Sequence, residues 1–157
     1  MRKAECLARL VLDPPGGDAG AARDRDIAIT DLLEENKFIP VNCPPGPYVL
    51  HLKVIENRLR FDLRGEDGGA LTCFNLPLSS LRATIRDYFV VCDSYADALK
   101  TADQHRLEAI DMGRRGLHNE GAEILIDRLK AHVEMDFATA RRLFTLISLL
   151  HNRWEKS

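Results

Sequence analysis

Between Ile110 and Gly121 the chain reads Ile-Asp-Met-Gly-Arg-Arg-Gly-Leu-His-Asn-Glu-Gly, the densest gathering of chemically capable side chains in its 157 residues. Arg114 and Arg115 offer planar forks matched to phosphate or carboxylate. Gly113, Gly116 and Gly121 let backbone approach a ligand closely. A helix restarting near Leu117 would add free N–H groups to an anion site, and His118 could serve there as acid or base. The candidate ligand-binding set is therefore Arg114, Arg115, His118, Asn119 and Glu120. His118 is the catalytic candidate only if the protein is an enzyme. A bound anion beside His118 would favour its protonated form. Two structural readings compete. Gly113 or Gly116 ends one helix and His118 or Asn119 opens the next. Otherwise one helix runs on unbroken, Asp111 and Arg115 pair at i,i+4, and the glycines line a close helix contact.

Other chemistry-bearing residues are weaker signals. Glu34-Glu35 and Glu66-Asp67 are adjacent carboxylates whose side chains diverge, so neither forms an acid/base dyad. Arg82 and Arg86 share a helix face, and with Arg141 and Arg142 they would form a phosphate-gripping surface if all four met. Without interleaved exposed aromatics, nucleic-acid binding is the third-ranked reading. Tyr88 and Tyr95, seven apart, fit core packing with hydroxyls at the rim. No GxSxG, Walker loop, GxGxxG or HExxH occurs. Cys6, Cys43, Cys73 and Cys92 include no CxxC pair and no zinc spacing, and they read as reduced bystanders. Val90, Val91 and Asp93 would raise the thiol pKa of Cys92. No cofactor or metal is expected.

The elements that must position these residues follow from periodicity. Cys6–Leu12 alternates weakly and ends at Asp13-Pro14-Pro15-Gly16-Gly17, so strand 6–12 leads into a loop at 13–22. Ile27, Ile29, Leu32 and Leu33 predict a helix over 24–36, with Asn36 as its exit and a proline-rich loop after Pro40. Apolar alternation predicts strands 48–55, 58–64 and 70–76, joined by tight turns at Glu56-Asn57 and Glu66–Gly69. Everything after Pro77 reads as helix: about 80–101 with a serine cap at Ser79 or Ser80, 104–113, 117–131, and 136–152 capped by Asp136. The fold class is α+β: an antiparallel β-meander of three strands, with the N-terminal segment as candidate fourth, against a C-terminal helical layer.

Composition fits one globular domain over residues 1–157, with 45% hydrophobic and 29% charged residues. The net charge of −2 and the near balance of acids and bases in each half give no basic excess, although a sum is blind to clustering in space. The N-terminus lacks the apolar run of a signal peptide, and no stretch reaches membrane-spanning length. A cytoplasmic protein is expected. Leu143–Leu150 is apolar nearly all round, so that helix is central either to the core or to an oligomer interface. Leu146, Leu149, Leu150 and Trp154 form the candidate self-association patch.

Ile29–Asn36, Gly46-Pro47-Tyr48, Asn57-Arg58-Leu59, Asp87-Tyr88-Phe89, Ala109–Gly121 and Ala140–Leu146 together resemble a family of small uncharacterised proteins of alphaproteobacteria. The resemblance spans nearly the whole chain except the 13–22 loop. It implies a bacterial cytoplasmic protein of one domain and carries no activity, substrate or catalytic residue onto these positions. The leading functional expectation is a non-catalytic binding or regulatory module. A small enzyme or sensor for a phosphorylated or carboxylated metabolite, using Arg114, Arg115 and His118, is the alternative. An RNA-binding protein is third.

Overall fold

The Leu59–Phe61–Leu63 alternation places one face of a strand in the core and the other in water. In the computed structural model, which describes residues 3–13, 19–101 and 103–154, those three side chains are fully buried. Strands β1 (Leu7–Asp13), β3 (Tyr48–Ile55), β4 (Arg58–Gly65) and β5 (Ala70–Pro77) form a sheet in the order β1-β3-β4-β5. Both expected antiparallel pairings are present, with Leu52 opposite Phe61 and Phe61 opposite Phe74. Glu56 and Asn57 have φ of 48° and 64°, the left-handed pair that a two-residue type I′ hairpin requires. The second turn is closed by Gly68 N–H to Gly65 O at 3.0 Å, and Asp67 Oδ1 accepts from Gly69 N–H at 2.9 Å.

The fourth strand is N-terminal, but it runs parallel to β3, Leu10 opposite Leu50 and Leu12 opposite Leu52, so the sheet is mixed rather than a pure meander. Parallel neighbours need a long crossover. Here it contains helix α1 (Ala19–Glu34) and strand β2 (Phe38–Pro40). Helix α1 starts earlier than the apolar spacing indicated, inside the expected 13–22 loop. Residues 14–18 of that loop lie outside the described part.

Asn36 ties the crossover down. Its Oδ1 accepts from Leu7 N–H at 2.8 Å, and its Nδ2 donates to Leu7 O and Leu32 O at 3.1 Å each. The side chain thus acts as a peptide group between the end of α1 and the start of β1. Two further links fix this corner to the last helix: Lys37 N–H donates to Thr139 Oγ1 at 2.9 Å, and Arg142 Nη1 donates to Glu35 O at 2.8 Å.

The region after Pro77 is not all helix. Leu78–Ser80 is a 3-10 turn containing both expected cap serines, and α2 (Arg82–Thr101) begins after it. Val133–Met135 forms β6, paired antiparallel with β2 in a small second sheet. Three-residue strands carry too little alternation to be read locally. The last helix, α4 (Phe137–Trp154), is capped as expected, Asp136 Oδ1 accepting from Thr139 N–H at 2.9 Å.

The largest correction concerns helix α3. Gln104–Leu129 is one unbroken helix, not two over 104–113 and 117–131. Gly113 and Gly116, at the expected break, cost about 1 kcal/mol each against alanine, which packing of the helix's second half outweighs. Ala122, Leu125 and Leu129 join Leu32, Phe61, Phe74, Leu143, Phe144, Leu146 and Ile147 in one hydrophobic cluster between sheet and helices. Each leucine, isoleucine or phenylalanine among them contributes roughly 1.5–3 kcal/mol on full burial. Helix α4 is therefore central to the core. Leu146 and Leu150 are buried and Leu149 half-buried within the chain, so these three members of the expected self-association patch are taken up wholly or partly by the core. The side chain of Trp154 lies outside the described part.

Candidate functional site

Gly121 sets the geometry of the site. A Cβ there would overlap the Phe144 ring, so α3 and α4 approach at a separation only glycine permits. One turn earlier on α3, His118 consequently reaches the α4 backbone. Its Nε2 lies 2.9 Å from Arg141 O and 2.8 Å from Thr145 Oγ1. Its Nδ1 lies 3.2 Å from Arg141 Nη2. A carbonyl oxygen only accepts and a guanidinium only donates. These partners assign the neutral imidazole with the proton on Nε2. Burial pushes the His118 pKa down, the carbonyl of Arg141 opposes this, and the Arg141 and Arg114 charges add to the depression.

The two arginines of the sequence motif fold back along their own helix. Arg114 Nε donates to Asp111 Oδ1 at 3.2 Å and Arg115 Nε donates to Asp111 Oδ2 at 2.9 Å. The guanidiniums hold the Asp111 carboxyl below the usual carboxylate range. This is the i,i+4 pairing of the unbroken-helix alternative. One carboxylate between two guanidiniums leaves a net positive charge. Arg114 also sits over the Tyr95 ring, 5.2 Å from its centroid. Such a contact is worth roughly 0.5–1 kcal/mol at an exposed site.

Helix α2 supplies the third wall. Tyr88, Cys92 and Tyr95 fall on one side of it by helical spacing. Tyr88 packs against His118 at 5.7 Å between ring centroids and against Phe144 at 5.6 Å. Burial pushes the Tyr88 hydroxyl pKa up. Burial also raises the Cys92 thiol, outweighing the opposing effects of the Tyr88 hydrogen bond and the Arg114 charge.

The sequence candidates are thus only partly united. Arg114 and His118 face the α2–α4 side. Arg115 is on the exposed flank, its side chain 65% accessible. Glu120, rotated about 200° from His118 around the helix, is exposed, and Asn119 is half-buried. Gly113 and Gly116 face open space, and Gly121 alone of the three makes a close approach. Arg141 was attributed by sequence to a different surface. Its guanidinium instead joins His118, and its Nε is buried without a hydrogen-bond partner among the described residues. The i,i+4 spacing of Arg141 and Thr145 was visible, but nothing local indicated that it faced His118. Arg142 instead donates to Glu35 O, and Arg141 to His118 Nδ1.

Among the described residues no group of three His, Cys, Asp or Glu side chains is placed to hold a metal ion. No helix there is long and apolar enough to cross a membrane.

The chain is 49% identical over 149 residues to a UPF0262 protein of Rhodopseudomonas palustris strain BisA53, covering 93% of this chain and 91% of the relative. It is 54% identical over 150 residues to a UPF0262 protein of Azorhizobium caulinodans, covering 92% and 93%. A Nitrobacter winogradskyi UPF0262 protein is 52% identical over 128 residues, covering 82% and 77%. No solved structure matches the chain. The profile of an uncharacterised protein family, UPF0262, matches residues 9–153, and the chain belongs to that family.

Proposed function

We propose that this protein is a non-catalytic binding module that takes a small phosphate- or carboxylate-bearing ligand against Arg141 and Arg114, where α2, α3 and α4 meet. The observation that carries the reading is Arg141. Its Nε is buried without a partner among the described residues, and its Nη2 is directed to a neutral imidazole rather than a carboxylate. Withdrawing a cation from water without an opposite charge is costly, and an anion reaching it would offset that cost. Arg114, 40% accessible at its side chain, supplies a second fork on the open side.

Binding rather than turnover is supported by the state of the reactive groups. Both ring nitrogens of His118 are engaged, and the Cys92 thiol is pushed away from the nucleophilic thiolate. The proposal takes the chain as one domain, supported by a hydrophobic cluster that runs from the sheet through α1, α3 and α4. A cytoplasmic location is supported by four free cysteines.

Thermal-shift titration with inorganic phosphate and with succinate, against chloride at matched ionic strength, tests the reading. Ligand at a hundredfold its dissociation constant should stabilise the protein by about 2.7 kcal/mol. Arg141→Ala should abolish the shift. Asp111→Asn, which releases Arg114 and Arg115, should strengthen it. A wild type indifferent to both anions would remove the proposal.

A further inference from the structure

A chain of net charge −2 carries one strongly positive face. On β4 the core takes Leu59, Phe61 and Leu63, so Arg58, Arg60, Asp62 and Arg64 project from the opposite side of the sheet. Register extends that side across the neighbouring strands. Lys53 lies opposite Arg60, His51 opposite Asp62, and Val49 opposite Arg64. Arg9 of β1 lies beside Val49, and Asp13 beside Lys53. Cys73 and Asn75 of β5 continue the rows beyond Asp62 and Arg60. Arg9, Lys53, Arg58 and Arg60 are exposed and Arg64 is half-buried. Of the five cations on this face, Arg64 donates to Asp62 at 3.0 Å and Lys53 is engaged as well, which leaves Arg9, Arg58 and Arg60 as the exposed arginines. Glu56 stands in the bounding turn at one end, and Glu66 and Asp67 in the turn at the other.

Arg60 Nε donates to the Cys73 thiol at 3.0 Å, not to a carboxylate.

The geometry points to this face as a binding surface for the sugar–phosphate backbone of a single-stranded nucleic acid. Four of the five cations are arginines, whose forks suit phosphate oxygens. Positions i and i+2 along β4 lie about 7 Å apart, and Arg58 to Arg64 spans about 20 Å. This is an elongated track suited to successive phosphates of an extended strand. Stable protein interfaces centre on apolar or aromatic anchors. None of the exposed large hydrophobic residues, Ile27, Val41, Val90, Leu99, Met112 and Phe137, lies on these strands. Nucleic-acid interfaces are more polar and far more positive, and charge alone supports them. The face presents no Phe, Tyr or Trp for base stacking, so binding is sequence-independent and steeply dependent on salt.

The test is fluorescence anisotropy of a labelled oligouridylate across a salt series, using the full chain. Three phosphate contacts, by Arg9, Arg58 and Arg60, give a log–log slope of about −2 for a single strand. The charge-reversed pair Arg58→Glu/Arg60→Glu, both at exposed positions, should weaken binding by about tenfold or more and flatten the slope by about 1.4. Circular dichroism would verify its fold. Arg9→Glu/Lys53→Glu should act in the same direction from the other side of the face. Arg141→Ala should leave oligonucleotide binding unchanged, which separates this surface from the small-anion site. Equal binding by wild type and both reversed pairs would overturn the inference. So would polyglutamate competing as well as the oligonucleotide at equal charge, tighter binding of a matched duplex, or capture by anionic vesicles without oligonucleotide binding.

Discussion

His118 and Arg141 hold each other at both ends: the imidazole Nε2–H is directed to the Arg141 carbonyl at 2.9 Å, and the Arg141 guanidinium returns to Nδ1 at 3.2 Å. This reciprocal tie requires a neutral ring. Protonation would place a second proton against a guanidinium and lose the Nδ1 acceptor.

Stability should therefore fall in acid. His118 has a folded pKa below its ordinary value of 6.5, so between the two values the unfolded chain binds a proton that the folded chain does not. Unfolding free energy then rises with pH in that window and is lost as pH falls below about 6.5 toward the depressed value. In His118→Gln the side chain can still donate to Arg141 O, and the His118-dependent part of the slope should vanish. Melting temperatures of both proteins from neutral pH to mild acid would check this. Identical pH profiles would contradict the assignment.

Substitutions at the three motif glycines should have opposite signs. Gly121→Ala drives a methyl group into the buried Phe144 ring and should destabilise by about 1–3 kcal/mol. Gly113→Ala and Gly116→Ala meet open space inside a helix and should each stabilise by roughly 0.5–1 kcal/mol. Urea denaturation of the three single variants reads these differences directly.

Asn36→Ala should be among the most damaging polar substitutions in the chain. It leaves the buried N–H and C=O of Leu7 without the Asn36 amide and removes a bond to Leu32 O at the end of α1. The expected loss is about 2–4 kcal/mol in chemical denaturation. Asn36→Asp should not rescue it, because an ionised carboxylate cannot donate to the two carbonyls.

What the sequence determined by itself is local. The alternation of Leu59, Phe61 and Leu63, the Glu56-Asn57 turn and the Asp136 cap each rest on interactions within a few residues, so the three-strand meander and the start of α4 were legible. The tertiary structure decided what depends on partners distant in the chain. Parallel pairing of β1 with β3 needs the whole α1–β2 crossover, and the β2–β6 pair joins segments about a hundred residues apart. Helix α3 passes Gly113 and Gly116 because burial of Leu125 and Leu129 exceeds two propensity penalties, a comparison no local window contains. Arg141 meets His118 only because Gly121 lets α4 come close. The basic face follows the same logic: Arg9, Lys53, Arg58, Arg60 and Arg64 nearly cancel against acids in any linear count, and strand register gathers them on one side.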